Sequence, residues 1–233
     1  MSSGMPAERT VLRIPMDLSL EEWGRLCRID ADSAAFEAIE ETLPLINRHA
    51  VPKAVVRRAE IDGIEGDRTT IAGTVFHSKL VAEKLHGLPL VFLSVVTAGD
   101  ELDSCGALKG DPFLDIFKGA LVRHGRDYVR QFLLSRFGFD GSSTLNPGSL
   151  PDWPIDNNFA LFELIGGLDE IGVSLNPAGY IRPWNSVSQI HFPGDGYENC
   201  SLCKKYDCSQ RRAPFDPDEF RRLFGGDRRE AGE

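Results

Sequence analysis

Residues 88–96, Leu-Pro-Leu-Val-Phe-Leu-Ser-Val-Val, are the longest apolar run in the chain. The run is too short to cross a bilayer, which takes about 20 apolar residues. Its β-branched and aromatic content predicts a strand over 89–96, and continuous apolarity places that strand at the centre of a sheet. The chain has 233 residues, 42% hydrophobic and 26% charged, enough for a sizeable core in one large domain or two small ones.

The flanking segments supply the rest of such a sheet. Residues 51–61 alternate valine with arginine and predict a second strand. Turns at Asp62-Gly63 and Glu65-Gly66-Asp67 lead into another over 69–75, a hairpin or near-hairpin. Short strands are predicted over 11–14, 171–175, 180–183 and 186–190. Ser19 with Glu21 and Glu22 reads as a helix N-cap with an acidic first turn. A helix is predicted over 33–46, where Phe36, Ile39, Leu43 and Ile46 recur at helical spacing. Pro44 ends or kinks it. Ser78 caps a helix that Gly87 stops. The longest helix spans 111–137 and packs across the sheet. Residues 144–149 read as an irregular loop, and further helices are predicted over 156–165 and 216–224. Strands interleaved with helices, plus a hairpin, indicate α+β or mixed α/β.

Several function classes fall away. A net charge of −9 and a pI near 5.1 argue against nucleic acid as a main partner. The polar N-terminus has no apolar core of a signal peptide, so the expected location is cytoplasmic, with no membrane association. Glycine-rich nucleotide loops, a nucleophile elbow and zinc-hydrolase histidine pairs are absent from the sequence.

Chemistry concentrates in Cys200-Ser201-Leu202-Cys203-Lys204-Lys205-Tyr206-Asp207-Cys208, which holds three of the five cysteines. Thiolates suit iron–sulfur clusters or zinc. In a reducing compartment clustered cysteines more often bind metal than form disulfides. Lys204, Lys205, Arg211 and Arg212 offset the negative charge of a thiolate-ligated centre. The loop follows the main apolar segments and reads as an appendage docked on a finished domain. The competing readings are a disulfide with a spare thiol, or three unligated cysteines. A fourth ligand is not in the run; Cys105, His191, Asp207 and a bound small molecule are the options. Cys27 is read as a core residue.

The segment 146–190 carries a resemblance. Asn146-Pro147-Gly148, Asp152-Trp153-Pro154-Ile155, Ile171-Gly172-Val173-Ser174-Leu175 and Pro183-Trp184-Asn185-Ser186-Val187-Ser188 resemble the activation domain of cobalamin-dependent methionine synthase. The match is nearer to the small free-standing relatives of that domain, many of which carry a C-terminal cysteine cluster. The resemblance covers about residues 13–192, with the sharp motifs in the last quarter.

It implies a C-shaped α+β fold with a twisted, largely antiparallel sheet, a long packing helix and a C-terminal cysteine-rich loop. The implied organisation is a flexible arm over 1–12, an activation-domain-like body over 13–195, a cysteine-rich metal loop over 196–215, and a terminal helix with charged tail over 216–233. The implied role is assistance to the reductive reactivation of, or methyl transfer to, a cobalamin-binding protein or domain. The chain would be an auxiliary component of a cobalamin-dependent methyltransferase. The implied metal is an iron–sulfur cluster, [4Fe-4S], on Cys200, Cys203 and Cys208 with Cys105 as the fourth candidate. Zinc bracing a non-catalytic corrinoid-binding or scaffold module is the alternative. Cofactor-binding candidates are Asn146, Pro147, Gly148, Tyr180, Ser186, Ser188 and Asp127.

The family pattern has an arginine three residues before Pro-Gly and a tyrosine directly after it. Here those positions are Thr144 and Ser149. Arginine would pair with the AdoMet carboxylate through a planar fork, which threonine lacks. AdoMet binding is therefore a third alternative.

Overall fold

The computed structural model describes residues 8–30, 32–194, 196–208 and 211–225. The first seven residues, Gln210 and the charged tail expected after 225 lie outside the described residues.

Strand β1 spans Arg9–Arg13, so it takes in residues expected to belong to a loose arm. Three short helices follow, α1 Leu20–Cys27, α2 Ala34–Glu40 and α3 Leu43–His49. Ser19 caps α1 in a reciprocal capping box with Glu22. Pro44 lies in the first turn of α3, where its missing N–H costs nothing; the stretch expected as one helix over 33–46 is therefore two.

The sheet is antiparallel throughout. Strand β2, Lys53–Glu65, pairs with β1 and with β5, Leu90–Thr97, over its first half. Its second half, past a register shift between Ile61 and Gly63, pairs with β3, Arg68–Ile71. β3 turns back into β4, Thr74–His77, so the single strand expected over 69–75 is two. The break is Ala72-Gly73, both at positive φ, 45° and 80°. Helix α4, Lys79–Leu85, leads into β5. The long helix α5, Leu114–Phe137, is followed by β6, Ser143–Leu145, a short strand where a loop was expected. Helix α6 is Asn157–Ile165, and β7 Ser174–Leu175 pairs with β8 Ile181–Arg182. Strand β9, Ser186–Phe192, enters the sheet between β5 and β6, giving the order β4-β3-β2-β5-β9-β6. Helix α7, Pro217–Phe224, comes last.

The apolar run sits where its composition requires. β5 is interior, and every residue from Val91 to Thr97 is buried. Leu93 and Val95 join Val55 and Ile190 in the larger core, packed against Leu80, Trp153 and Leu161. Phe92 and Val96 point to the other face, with Val129 and Leu133 of α5. A third cluster gathers Trp23, Phe36, Ile39 and Ile46 of α1–α3 against Phe117 and Leu121 of α5. The cysteine segment is not an appendage. Leu202 within it is fully buried, and it joins Leu223 of α7 in the larger core.

Candidate functional site

The turn after β6 and the start of β9 are locked together by buried polar groups. The Asn146 side-chain amide donates to the Ser188 carbonyl at 2.6 Å. The Ser188 hydroxyl donates to Asn158 Oδ1 at 2.6 Å, and Asn158 Nδ2 donates to the Gly179 carbonyl at 3.0 Å. Asn199 Nδ2 closes the chain on the Asn146 carbonyl at 2.7 Å. Five segments are thereby held at one place, in an environment where each bond counts for more than in water. Gly148 sits at φ 85° against Ile155, whose Cδ1 lies 2.6 Å from where a Cβ would stand. Only glycine fits this turn without displacing Ile155.

These groups border a cavity of about 360 Å³. Asn146, Pro147, Tyr180, Ser186 and Ser188 line it, as do all three cysteines of the run. The resemblance and the cysteine spacing had pointed to these two sets separately; the fold brings them to one cavity. Asp127 lines a neighbouring cavity instead. Sequence reasoning missed Asn158, which an ordinary helical pattern conceals, and Arg123 and Arg126 of α5, which also line the wall.

Arg211 organises the cysteine segment. Its Nη1 donates to the carbonyls of Cys200 at 2.6 Å and Ala213 at 3.1 Å. Its Nη2 donates to those of Cys203 at 2.8 Å and Lys205 at 2.7 Å. The guanidinium expected only to offset charge thus folds the loop around itself. Arg212 forms an ion pair with Glu198 at 2.6 Å, shared with Arg126 at 3.1 Å. Thr144, where the resemblance would place an arginine, is buried and donates its hydroxyl to Glu198 at 2.9 Å. Burial pushes the Cys200 thiol up, and the Glu198 carboxylate adds to it; Arg211 acts in the opposite direction.

Of the candidate fourth ligands, neither Cys105 nor His191 is at hand. Cys105 packs with the α1–α3 cluster and is not on the cavity wall. His191 is buried in the sheet with Nε2 2.8 Å from Ser94 Oγ and Nδ1 3.4 Å from the Gly141 carbonyl. Both ring nitrogens are spent there. Cys27 is core, and burial raises its thiol to about 11. All five cysteines are free thiols in this structure. No three His, Cys, Asp or Glu side chains among the described residues converge as a single-ion site requires. Tetrahedral zinc with sulfur ligands would hold them about 3.8 Å apart. A zinc brace is therefore not supported by the arrangement.

At the cavity rim Tyr180 and Trp184 are exposed, their ring centroids 6.0 Å apart. The Arg182 guanidinium lies 3.3 Å over the Trp184 ring.

No family model matches the chain, and no curated protein matches it either. Solved structures do. A crystal structure of the MetH reactivation domain bound to AdoHcy superposes with a TM-score of 0.61 over 82% of this chain and 81% of that one, at 16% identity. The chain therefore has the activation-domain fold of methionine synthase, α+β with a largely antiparallel sheet, as the motifs over 146–190 implied. No described helix is long and apolar enough to cross a membrane.

Proposed function

We propose that this chain is an auxiliary redox protein of corrinoid metabolism, which carries an iron–sulfur cluster on Cys200, Cys203 and Cys208. It assists the reductive reactivation of, or methyl transfer to, a cobalamin-binding partner. The observation that carries this reading is that the three cysteines line one cavity together with the Asn146-Pro147 turn, Ser186 and Ser188. A cluster attaches its thiolates to separate irons, so its ligands need a shared cavity and not the close convergence a lone ion demands. Arg123, Arg126, Lys205, Arg211 and Arg212 on the same wall suit its negative charge. When bound, such a cluster supplies low-potential electrons, which reduction of cob(II)alamin requires.

The chain's own residues do the positioning. Arg211 fixes the backbone carbonyls of Cys200 and Cys203, and with them the loop that carries the thiols. The exposed Tyr180 and Trp184 offer a flat aromatic face at the cavity mouth for the partner or its corrin. Protein purified without air should be brown, with iron and acid-labile sulfide in equal amounts, and each Cys→Ser substitution in the run should lower both. Colourless protein containing stoichiometric zinc, or no metal, would sink the proposal.

A second reading, AdoMet binding, has one observation for it: the MetH reactivation domain of like fold is seen with AdoHcy. Thr144 and Ser149 stand against it. Titration calorimetry with AdoMet decides; saturable heat supports that reading, and its absence at millimolar ligand removes it.

A further inference from the structure

A second cavity, of about 150 Å³, opens beside the first between α1, α5 and the β6–β9 pair. Five arginines line it: Arg25, Arg123, Arg126, Arg130 and Arg212. Only two carboxylates, Asp127 and Glu198, face them. A chain with a net charge of −9 has thus gathered a local positive excess into one small hollow.

The two carboxylates are already committed. Asp127 is shared by Arg25 at 3.4 Å and Arg130 at 3.5 Å on the exposed rim. Glu198 is held by Arg126 and Arg212 on the half-buried floor. Gln189 is fully buried and gives its Oε1 to Arg126 Nε at 2.9 Å. Its Nε2 has no protein partner, nor has Arg212 Nε. Among the described residues these are the buried side-chain polar atoms of this lining left without a partner, and both are donors. Unpaired buried donors are costly, so what completes the hollow must accept hydrogen bonds.

We infer that this cavity binds a small oxyanion, a phosphate or carboxylate group, between Gln189 Nε2 and the guanidinium groups of Arg126, Arg130 and Arg212. A hollow of this size has room for a group of a few heavy atoms, as a cavity of about 150 Å³ holds benzene. Arg123, Arg126 and Arg212 also line the larger cavity, so a ligand lying there can extend its anionic end into this one. The inference does not depend on a cluster being present.

The test is titration calorimetry of the full chain with sodium phosphate and, separately, sodium acetate, at one low ionic strength so that screening is constant. Saturable binding of at least one anion is expected; phosphate alone marks a phosphate-bearing ligand, acetate alone a carboxylate. Gln189→Glu keeps the acceptor that Arg126 uses and replaces the unpaired donor with negative charge. It should weaken binding by about tenfold or more. Arg130→Ala removes the most exposed of the three guanidinium groups and should weaken binding by about threefold. Arg221→Ala on α7, whose partner is Asp218, should change nothing. If Gln189→Glu does not melt cooperatively, the double variant Arg25→Ala with Arg130→Ala carries the comparison. Failure of both anions to bind, or binding indifferent to the cavity variants, overturns the inference.

Discussion

His191 shows what burial does to a titratable side chain. Surrounded by the sheet, it is held neutral, its pKa driven down to about 4 by desolvation, with the Gly141 carbonyl opposing and Arg126 and Arg130 assisting. The unfolded chain takes up the proton near pH 6.5, the folded chain only near pH 4. Stability is therefore full above about pH 6.5, falls as the pH drops toward 4, and is lower by on the order of 3 kcal/mol once both states are protonated. Denaturant unfolding of the wild type at pH 7 and pH 5 should show about 2 kcal/mol of that loss, and His191→Gln should remove most of the slope. A slope unchanged in the variant would assign it to other groups. As a letter in a strand, His191 was open to reading as a metal ligand. Nothing in its neighbours says that Ser94 and Gly141, distant in sequence, take both ring nitrogens. The same blindness applies to Asn158, whose partners come from β9 and the turn at Gly179. Short-range pattern carries helix caps and apolar faces, and long-range polar pairing leaves no such trace.

At the level of elements, α5 lies close on the sheet because position 125 has no side chain. A Cβ there would stand 2.5 Å from Val96 Cγ1 and 3.0 Å from Ile14 Cδ1. Gly125→Ala gains helix propensity but must push α5 away from β5, and the overpacking should dominate, with a net loss of about 1–3 kcal/mol. A rise in melting temperature would show that the helix can shift at no cost. Asp152 acts across the other face: its Oδ2 accepts from Ser78 Oγ at 3.0 Å and from the Lys79 N–H at 2.8 Å, tying the Trp153 turn to the start of α4. Asp152→Ala should cost about 1–2 kcal/mol, read by denaturant melt. Elements whose signal is local were legible: the caps at Ser19 and Ser78, the interior strand β5 and the length of α5. The division of 69–75 into β3 and β4 was not, because its turn starts on an alanine at positive φ and only the single glycine at 73 marks it. β6 was hidden because three residues are too few for a period; it is a strand only by pairing with β9.

For the molecule as a whole, charge is distributed unevenly: an acidic chain concentrates arginine around two adjoining cavities. Arg211 is the hinge of that arrangement. Arg211→Lys keeps the charge but loses the planar fork that reaches four carbonyls. The loop should then be cut several-fold faster in limited proteolysis, and anaerobically prepared protein should lose iron more quickly to a chelator. Unchanged proteolysis would mean that the loop is held from elsewhere. The activation-domain fold was readable from motifs that place turns and strand ends, whereas the union of the cysteine run with the Asn146 turn needed the three-dimensional path of the segment after β9.

That path has a practical corollary. Leu202 and Leu223 plug the larger core from outside the region of resemblance, and Asp216 fastens its N–H to the Ser201 carbonyl at 2.7 Å. A chain trimmed at residue 195 to obtain a tidier domain would be left with an open greasy flank. It should elute as soluble aggregate, with or without any metal, because the sulfur-bearing stretch doubles as the stopper of the fold.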